Sequence, residues 1–474
     1  MKTPILGGQY ITQSANAGAN RCINLYPEQV PEGGKEPAFL TRCPGLRLRV
    51  VIGTGPIRGT IKAGDLCYIV SGSTLYSINS IYTVVDLGDI STGSSPVSMA
   101  YNGEQIFIAC GTTAYIYKVA DEELVEITDE DFPGANIVDY LDGYFVFTEP
   151  DSQRFWVTSL LDGTAIDALE FSSAEGAPDS LVSLIVSHRE VWLFGENSIE
   201  VFYNSGETNF PLSRIQGAFI EAGCAAKYSI AKLDNSIFWL GSDARGSGTI
   251  YRADGYTARR LSNHSIEAEI QSFSTIVDAI GISYQQAGHS FYMITFPTAN
   301  RTFCYDVATD LWHERADYIN GEFHQHRARS MFLLNNDVHI GDRLNGNIYT
   351  FDLDYYSDNG NPQVWLRSWR ALAVGKNTLK RGFHQQLQLD CEVGVGLLTG
   401  QGEEAQVMLR WSDDGGRTFG NYHIKSLGKI GKTFTKPIWK RLGMSRDRVY
   451  ELSGSDPVKI IIMGAELKIN YGLT

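Results

Sequence analysis

Apolar runs of four to six residues, bounded by polar turns, recur from about Gly53 to Tyr356, and each is followed by a second, aromatic-rich run. The first pair is Leu66-Cys67-Tyr68-Ile69-Val70 with Leu75-Tyr76-Ser77-Ile78. The fourth is Val191-Trp192-Leu193-Phe194 with Ile199-Glu200-Val201-Phe202-Tyr203. Runs this short, rich in β-branched and aromatic residues, read as paired strands. Seven such hairpins start at Asp65, Gln105, Tyr144, Val191, Ile237, Phe291 and Val338, which lie 39 to 54 residues apart. That spacing falls near the period of propeller blades. One small twisted sheet cannot cover both its faces, whereas a ring of them stacks face to face and exposes only short edges. The pattern predicts an all-β chain with a β-propeller over 53–360. Six or seven blades fit, seven being favoured, because a terminal hairpin can pair with the N-terminal arm.

Residues 1–52 lack periodicity and predict an arm that closes or wraps the propeller. One helical interruption is expected, where Ser262-Asn263-His264-Ser265 supplies caps and Ile266 and Ile270 lie one turn apart. The pattern breaks at Asp358-Asn359-Gly360-Asn361-Pro362, which places a domain boundary there. Beyond it, Leu387, Leu389, Cys391 and Val393 alternate with polar residues, a hairpin surrounds Trp411, and an apolar run spans 458–463. These predict a β-sandwich over 361–474.

In that hairpin Val407, Leu409 and Trp411 share one strand face, and the turn Ser412-Asp413-Asp414-Gly415-Gly416 follows, with a second strand expected from Thr418-Phe419. Ser412, Asp414, Gly416, Thr418 and Phe419 have the spacing of an Asp-box, in which a carboxylate ties down the turn and an aromatic packs beneath it. Asp414 is therefore expected to serve the turn and not a reaction.

Several segments together are more specific than the Asp-box. They are Trp411-Ser412-Asp413-Asp414-Gly415-Gly416-Arg417-Thr418-Phe419, Ser426-Leu427-Gly428, Arg441-Leu442-Gly443, Ser445-Arg446-Asp447-Arg448-Val449 and Ser455-Asp456-Pro457. Near the other end stand Asn24-Leu25-Tyr26-Pro27-Glu28 and Pro44-Gly45-Leu46. In these the chain resembles the packaged-DNA stabilisation proteins, the tail hub or nozzle family of short-tailed, podovirus-type phages. The resemblance implies a virion protein made in the host bacterial cytoplasm, with copies forming a ring, by resemblance six, beneath the portal-adaptor. It implies a structural part that prolongs the DNA channel, retains packaged DNA, holds the tail needle or plug, and carries tailspikes or fibres.

Charge and composition sharpen this reading. The net charge of −14 opposes tight binding of free nucleic acid over the whole surface, so phage DNA is expected to pass without specific binding. Between Asn421 and Tyr450, however, eight lysines and arginines face only Asp447. The remainder therefore carries more than the whole net charge. Lys436, Lys440, Arg441, Arg446 and Arg448 are candidate contacts to an acidic neighbouring protein. The acidic run at 121–131 reads as a solvated loop or edge strand. Seven dispersed cysteines without CxxC spacing read as buried thiols of a reducing compartment. No basic segment followed by an apolar run opens the sequence, and no apolar window is long enough to span a bilayer, so no membrane insertion is expected.

Catalytic patterns are absent, and no enzyme activity, cofactor or metal is expected. Gly428-Lys429-Ile430-Gly431-Lys432-Thr433 has Ser426 where a phosphate loop needs its first glycine. His324 and His326 lack a third ligand at metal spacing. The enzyme rival is a sialidase-like glycosidase, which needs three converging arginines and a tyrosine nucleophile. Arg154, Arg189, Arg214, Arg245 and Arg301 are the available arginines. A receptor- or glycan-binding virion protein is the other alternative.

Overall fold

Each predicted hairpin forms the middle pair of an antiparallel sheet. The computed structural model describes residues 1–472 except 12–17, 31–33, 35, 175, 177–178, 208–209, 244–245, 374–375 and 377–379. The first blade is Ile57–Ala63, Leu66–Ser71, Thr74–Ile78 and Val84–Asp89 in sequence order from inside to outside. The second starts at Ser98–Tyr101, the third at Val138–Leu141, the fourth at Leu181–Ser187 and the sixth at Ile280–Gln286. The fifth has an inner strand split into Gly223–Cys224 and Ala231–Leu233. The seventh contributes Ala328–Leu334, Asp337–Asp342 and Asn347–Asp352, and its outer strand is Gly45–Val51 from the N-terminal region. The blade count is therefore seven. Strand Gly45–Val51 leads directly into the inner strand of the first blade, and the inner strands of the first and last blades lie side by side. The ring is thus closed by hydrogen bonds between distant parts of the chain.

Between the fifth and sixth blades lies the helix His264–Gln271. Asn263 caps it, with Oδ1 accepting from Ile266 N at 3.0 Å, and Ile266 and Ile270 are fully buried.

The N-terminal arm is where the structure departs most from expectation. Only Gly45–Val51 closes the propeller. Strands Leu25–Gln29 and Ala38–Arg42 belong to a sandwich sheet with Ile461–Tyr471, Gly382–Cys391 and Ile438–Lys440. The opposing sheet contains Trp365–Arg370, Val449–Gly454, Glu404–Ser412 and His423–Lys429. Between them Ile5, Leu25 and Leu40 pack with Trp365, Trp369, Leu387, Val407 and Leu452. The apolar residues of the arm complete a core that 361–474 alone would leave open.

Strand Cys22–Ile23 joins the two domains. Ile23 pairs in parallel with Glu314 on the outer strand of the sixth blade, and Cys22 and Ile23 pair antiparallel with Arg367 and Leu366 of the sandwich. Sixth blade and sandwich thereby form one continuous nine-stranded sheet. At Asn24 the chain leaves this sheet and enters the opposite one, with φ +53. Asparagine tolerates that left-handed corner. Its Nδ2 donates to the Ala316 and Val364 carbonyls, both at 2.8 Å, and its Oδ1 accepts from Ala316 N at 3.0 Å.

Next to it the buried Arg42 donates from Nη1 to the carbonyls of Asp456 (2.6 Å) and Val458 (3.0 Å), from Nε to Gln363 Oε1, and from Nη2 to the Gln363 carbonyl. Gln363 Nε2 in turn reaches the Pro44 carbonyl at 3.0 Å. Gly45 has no alternative, since a Cβ there would lie 2.0 Å from the Tyr355 carbonyl oxygen. The break at 358–362 is likewise no free linker, because Ser357–Asp358 pairs in parallel with the Gly45–Val51 strand. No helix among the described residues is long and apolar enough to cross a membrane.

Buried carboxylates flank this joint. Asp317 receives Arg327 Nε at 2.9 Å, and its Oδ1 has no partner. Burial, and then the proximity of Asp358, push the Asp317 carboxyl above the usual range, and burial raises Asp358 as well. A raised folded-state value means that the native protein binds the proton more tightly. The stabilisation from that proton is complete below about pH 4, the unfolded carboxyl range, and is lost as pH rises through the folded value. Replacing Asp317 by Asn should flatten the decline of the melting temperature between pH 4 and pH 8. An undiminished slope would contradict this. Asn24→Ala removes three hydrogen bonds and leaves alanine in the left-handed region, and should cost about 3 kcal/mol in urea unfolding. Asn24→Gly should recover only the backbone part.

Candidate functional site

The turn after Trp411 has Asp-box hydrogen bonding. Asp414 Oδ1 accepts from Ser412 Oγ (2.6 Å), Arg417 N (3.0 Å) and Thr418 N (2.9 Å), while Oδ2 accepts from Thr418 Oγ1 (2.6 Å). Gly416 N donates to Ser412 Oγ at 2.8 Å, with Gly416 at φ +95. Those donors hold the Asp414 carboxyl well below its ordinary range. Every oxygen of the side chain serves the turn. Phe419 lies under the Arg410 guanidinium, 4.8 Å from its ring centroid, and Tyr422 lies 4.7 Å from the same group. The second strand begins later than Thr418-Phe419, at His423, which pairs with Leu409. Residues 413–418 are used up by the turn itself.

The basic stretch divides into two parts. Lys436, Lys440, Arg441 and Arg446 are exposed, as are Lys425, Lys429 and Lys432. Around them Ile424, Ile430 and Phe434 are also exposed, Phe434 at 94%. Arg448 does not belong to this face. It is 2% exposed, donates to both carboxylate oxygens of Asp413 (2.6 and 2.8 Å) and to the Leu442 carbonyl, and stacks on Trp411. Its assignment as an interface residue is corrected accordingly, since the guanidinium is enclosed by its own domain. Trp439 and Tyr450 are buried as well. The acidic run at 121–131 includes Glu123–Glu126, the outer edge strand of the second blade.

The other candidates do not assemble. His324 Nδ1 lies 2.9 Å from Asn300 Nδ2, whereas His326 is buried beside Arg315. Among the described residues no group of three or more His, Cys, Asp or Glu is placed to hold a metal ion. The 428–433 run ends a strand and turns, with Gly428 and Gly431 at positive φ and no helix following. Arg154 stacks on Phe171, Arg189 pairs with Asp142, Arg214 with Glu200, and Arg301 with Glu269 and Glu314. Arg245 lies outside the described residues.

Two further arginines, which sequence reasoning missed, lie at the mouth of the central propeller channel. This channel encloses about 440 Å3 and is lined by inner strands of all seven blades. Arg58 Nε donates to the Ser95 carbonyl (2.8 Å), and its Nη1 to those of Gly72 (2.9 Å) and Ser91 (2.8 Å). Arg329 Nη2 donates to the Ser94 carbonyl at 2.5 Å. From the fifth blade, Tyr228 Oη reaches across to the Pro96 carbonyl at 2.9 Å. Burial pushes the Tyr228 phenol up to about 12, and no carboxylate contributes to that shift. A glycosidase tyrosine needs an acid partner to activate it, and Tyr228 instead braces the loop at 91–96.

Seven circularly arranged blades joined through a shared strand to a two-sheet sandwich define a propeller–sandwich protein. Residues 1–356 match the family described as bacteriophage P22 Gp10, beta-propeller, and residues 365–470 match bacteriophage P22 Gp10, beta-sandwich. The chain belongs to this family of phage tail structural proteins, the packaged-DNA stabilisation or tail hub family. A search of curated protein sequences found no match. Among solved structures the chain is similar to the N-terminal domain of Nup159, at 10% identity over 68% of this chain and 97% of that one, with a TM-score of 0.41. It is also similar to a chain of the mitotic checkpoint complex, at 11% identity over 69% and 96%, with a TM-score of 0.43.

Asp414→Ala should free the turn without unfolding the sandwich core, since the turn is exposed. Trypsin cleavage at Arg417 should then accelerate at neutral pH relative to the unaltered chain. Unchanged cleavage kinetics would show that the carboxylate does not hold the turn.

Proposed function

We propose that the chain is the subunit of a tail hub or nozzle. Copies, six by analogy with the family, form a ring below the portal-adaptor of a short-tailed phage. The ring extends the DNA channel, retains the packaged genome, and anchors the tail needle or plug and the tailspikes or fibres. The observation that carries this reading is membership of the Gp10 family across both domains.

Physical features support it. The propeller's own channel is crossed by Tyr228 and encloses about 440 Å3. Duplex DNA, whose major groove alone is about 12 Å wide, does not pass through it. A conduit must then lie between copies. A ring made by one repeated head-to-tail contact needs two different complementary patches on each subunit. The exposed Lys436, Lys440, Arg441 and Arg446 and the acidic edge Glu123–Glu126 are patches of opposite sign. A net charge of −14 per copy disfavours a grip on passing phosphates. Virion assembly follows synthesis in the host cytoplasm, and no membrane insertion is involved.

Native mass measurement of the full chain mixed with portal-adaptor assemblies should give a complex carrying a fixed ring of copies, and a fluorogenic sialoside should give no turnover. Sialoside hydrolysis, or failure to associate with the adaptor together with specific glycan binding, would defeat this reading.

A further inference from the structure

Two sheet edges of opposite charge lie on opposite sides of the molecule. The nine-stranded sheet starts at the propeller channel with Ile280–Gln286 and ends on the sandwich strand His423–Lys429, which among the described residues pairs on one side only. In a ring of seven the second blade stands three places from the sixth, across the propeller axis from the sandwich. Its outer strand Glu123–Glu126 likewise pairs on one side only. The outer strand of the first blade, Val84–Asp89, adjoins it, since a Cβ on Gly88 would lie 3.2 Å from Leu124 Cδ2.

Each end combines apolar side chains with charge of one dominant sign. At the sandwich end the loops 394–403 and 428–436 are tied together, with Gly431 N donating to the Gly394 carbonyl at 3.0 Å and Gly394 N to the Leu427 carbonyl at 2.9 Å. These loops expose Leu398 at 79%, together with Ile430 and Phe434, and Ile424 is exposed on the adjoining edge strand. Lys425, Lys429, Lys432 and Lys436 are exposed beside them, with Glu403 paired to Lys429 at 2.8 Å. Single exposed apolar residues are ordinary, but several on adjoining turns mark a contact surface. On the propeller side, Val85 is 49% exposed and Leu124 and Val125 are half-buried. Residues 84–89 and 118–126 hold six carboxylates and one lysine, Lys118, which bonds Glu123 at 3.0 Å.

We propose that the sandwich end of one copy, with its loops 394–403 and 428–436, docks head to tail on the acidic outer edges of the first and second blades of a second copy of this chain. This rests on the ring reading given above and names the surfaces that build the ring. The apolar side chains supply the burial, and lysines facing carboxylates set the register. Two sandwich ends, or two acidic edges, repel each other, so only the head-to-tail pairing is favoured. Each contact leaves one end of either sign free until the ring closes.

Native mass measurement and sedimentation of the full chain, alone and with portal-adaptor assemblies, test this with paired charge reversals at exposed positions. Lys432→Glu with Lys436→Glu reverses the sandwich end, and Glu122→Lys with Glu126→Lys reverses the blade edge. Either reversed chain alone should associate about ten-fold more weakly or worse. An equimolar mixture of the two should recover association, because each then matches the other at both ends. The chain carrying all four substitutions should associate with itself, and Phe434→Ser should weaken the contact in the unaltered background. Recovery separates a lost contact from a lost fold. Undiminished rings from either reversed chain alone would overturn the docking surfaces and leave the hub reading standing. Weakening without recovery in the mixture or in the fourfold variant would overturn them as well. No association of the unaltered chain under any of these conditions would overturn both readings.

Discussion

The architecture depends on a strand of two residues. Cys22–Ile23 lies between the outer strand of the sixth blade and the Trp365–Arg370 strand, hydrogen-bonded to both. Without it the propeller and sandwich would share no sheet and would be linked only where the chain crosses at 43–44 and 353–364. With it they share a sheet, and the flanking Asn24, Arg42 and Gln363 satisfy backbone groups from both sides. Buried polar networks of this kind fix geometry more than they add stability, because each group left unpaired would be heavily penalised.

The same logic runs through the propeller. Its ring closes on Gly45–Val51, so the segment that completes the last blade also continues from the domain joint. Closure of the ring and attachment of the sandwich are therefore coupled through one stretch of chain. The central channel is crossed by side chains that brace the loop at 91–96. Outward-facing features include an acidic edge on one blade, and exposed basic residues with Phe434 on the sandwich.

Much of this was legible in the sequence, for physical reasons that also mark the limits. The two middle strands of each blade are buried on both faces, so Ile106-Phe107-Ile108-Ala109 and its counterparts stand out as apolar runs. Outer strands such as Glu123–Glu126 are half-exposed and read only as charge. The helix was legible because a capping asparagine precedes two isoleucines one turn apart. The split of the N-terminal arm was not, since a two-residue strand has no periodicity and Leu25 and Leu40 are assigned to the sandwich only by tertiary pairing. Arg448 sits in a dense basic run and reads as solvated, although Asp413 and Trp411 enclose it. Arg58 and Arg329 gave no signal, because each is the extra residue of a bulge, and a bulge is a property of two strands and not of one segment. Three of the segments that carried the family resemblance have a common explanation. Asn24, Gly45 and Asp456 meet at the domain joint, where a left-handed corner, a missing Cβ and a carbonyl facing Arg42 each restrict the residue.

The central claim is that propeller and sandwich are one mechanical unit. Scanning calorimetry of the full chain tests this most directly. A single endotherm, with loss of sandwich and propeller signals at the same temperature, is the result the shared strand demands. Two separable transitions, with the sandwich melting while the propeller persists, would contradict it.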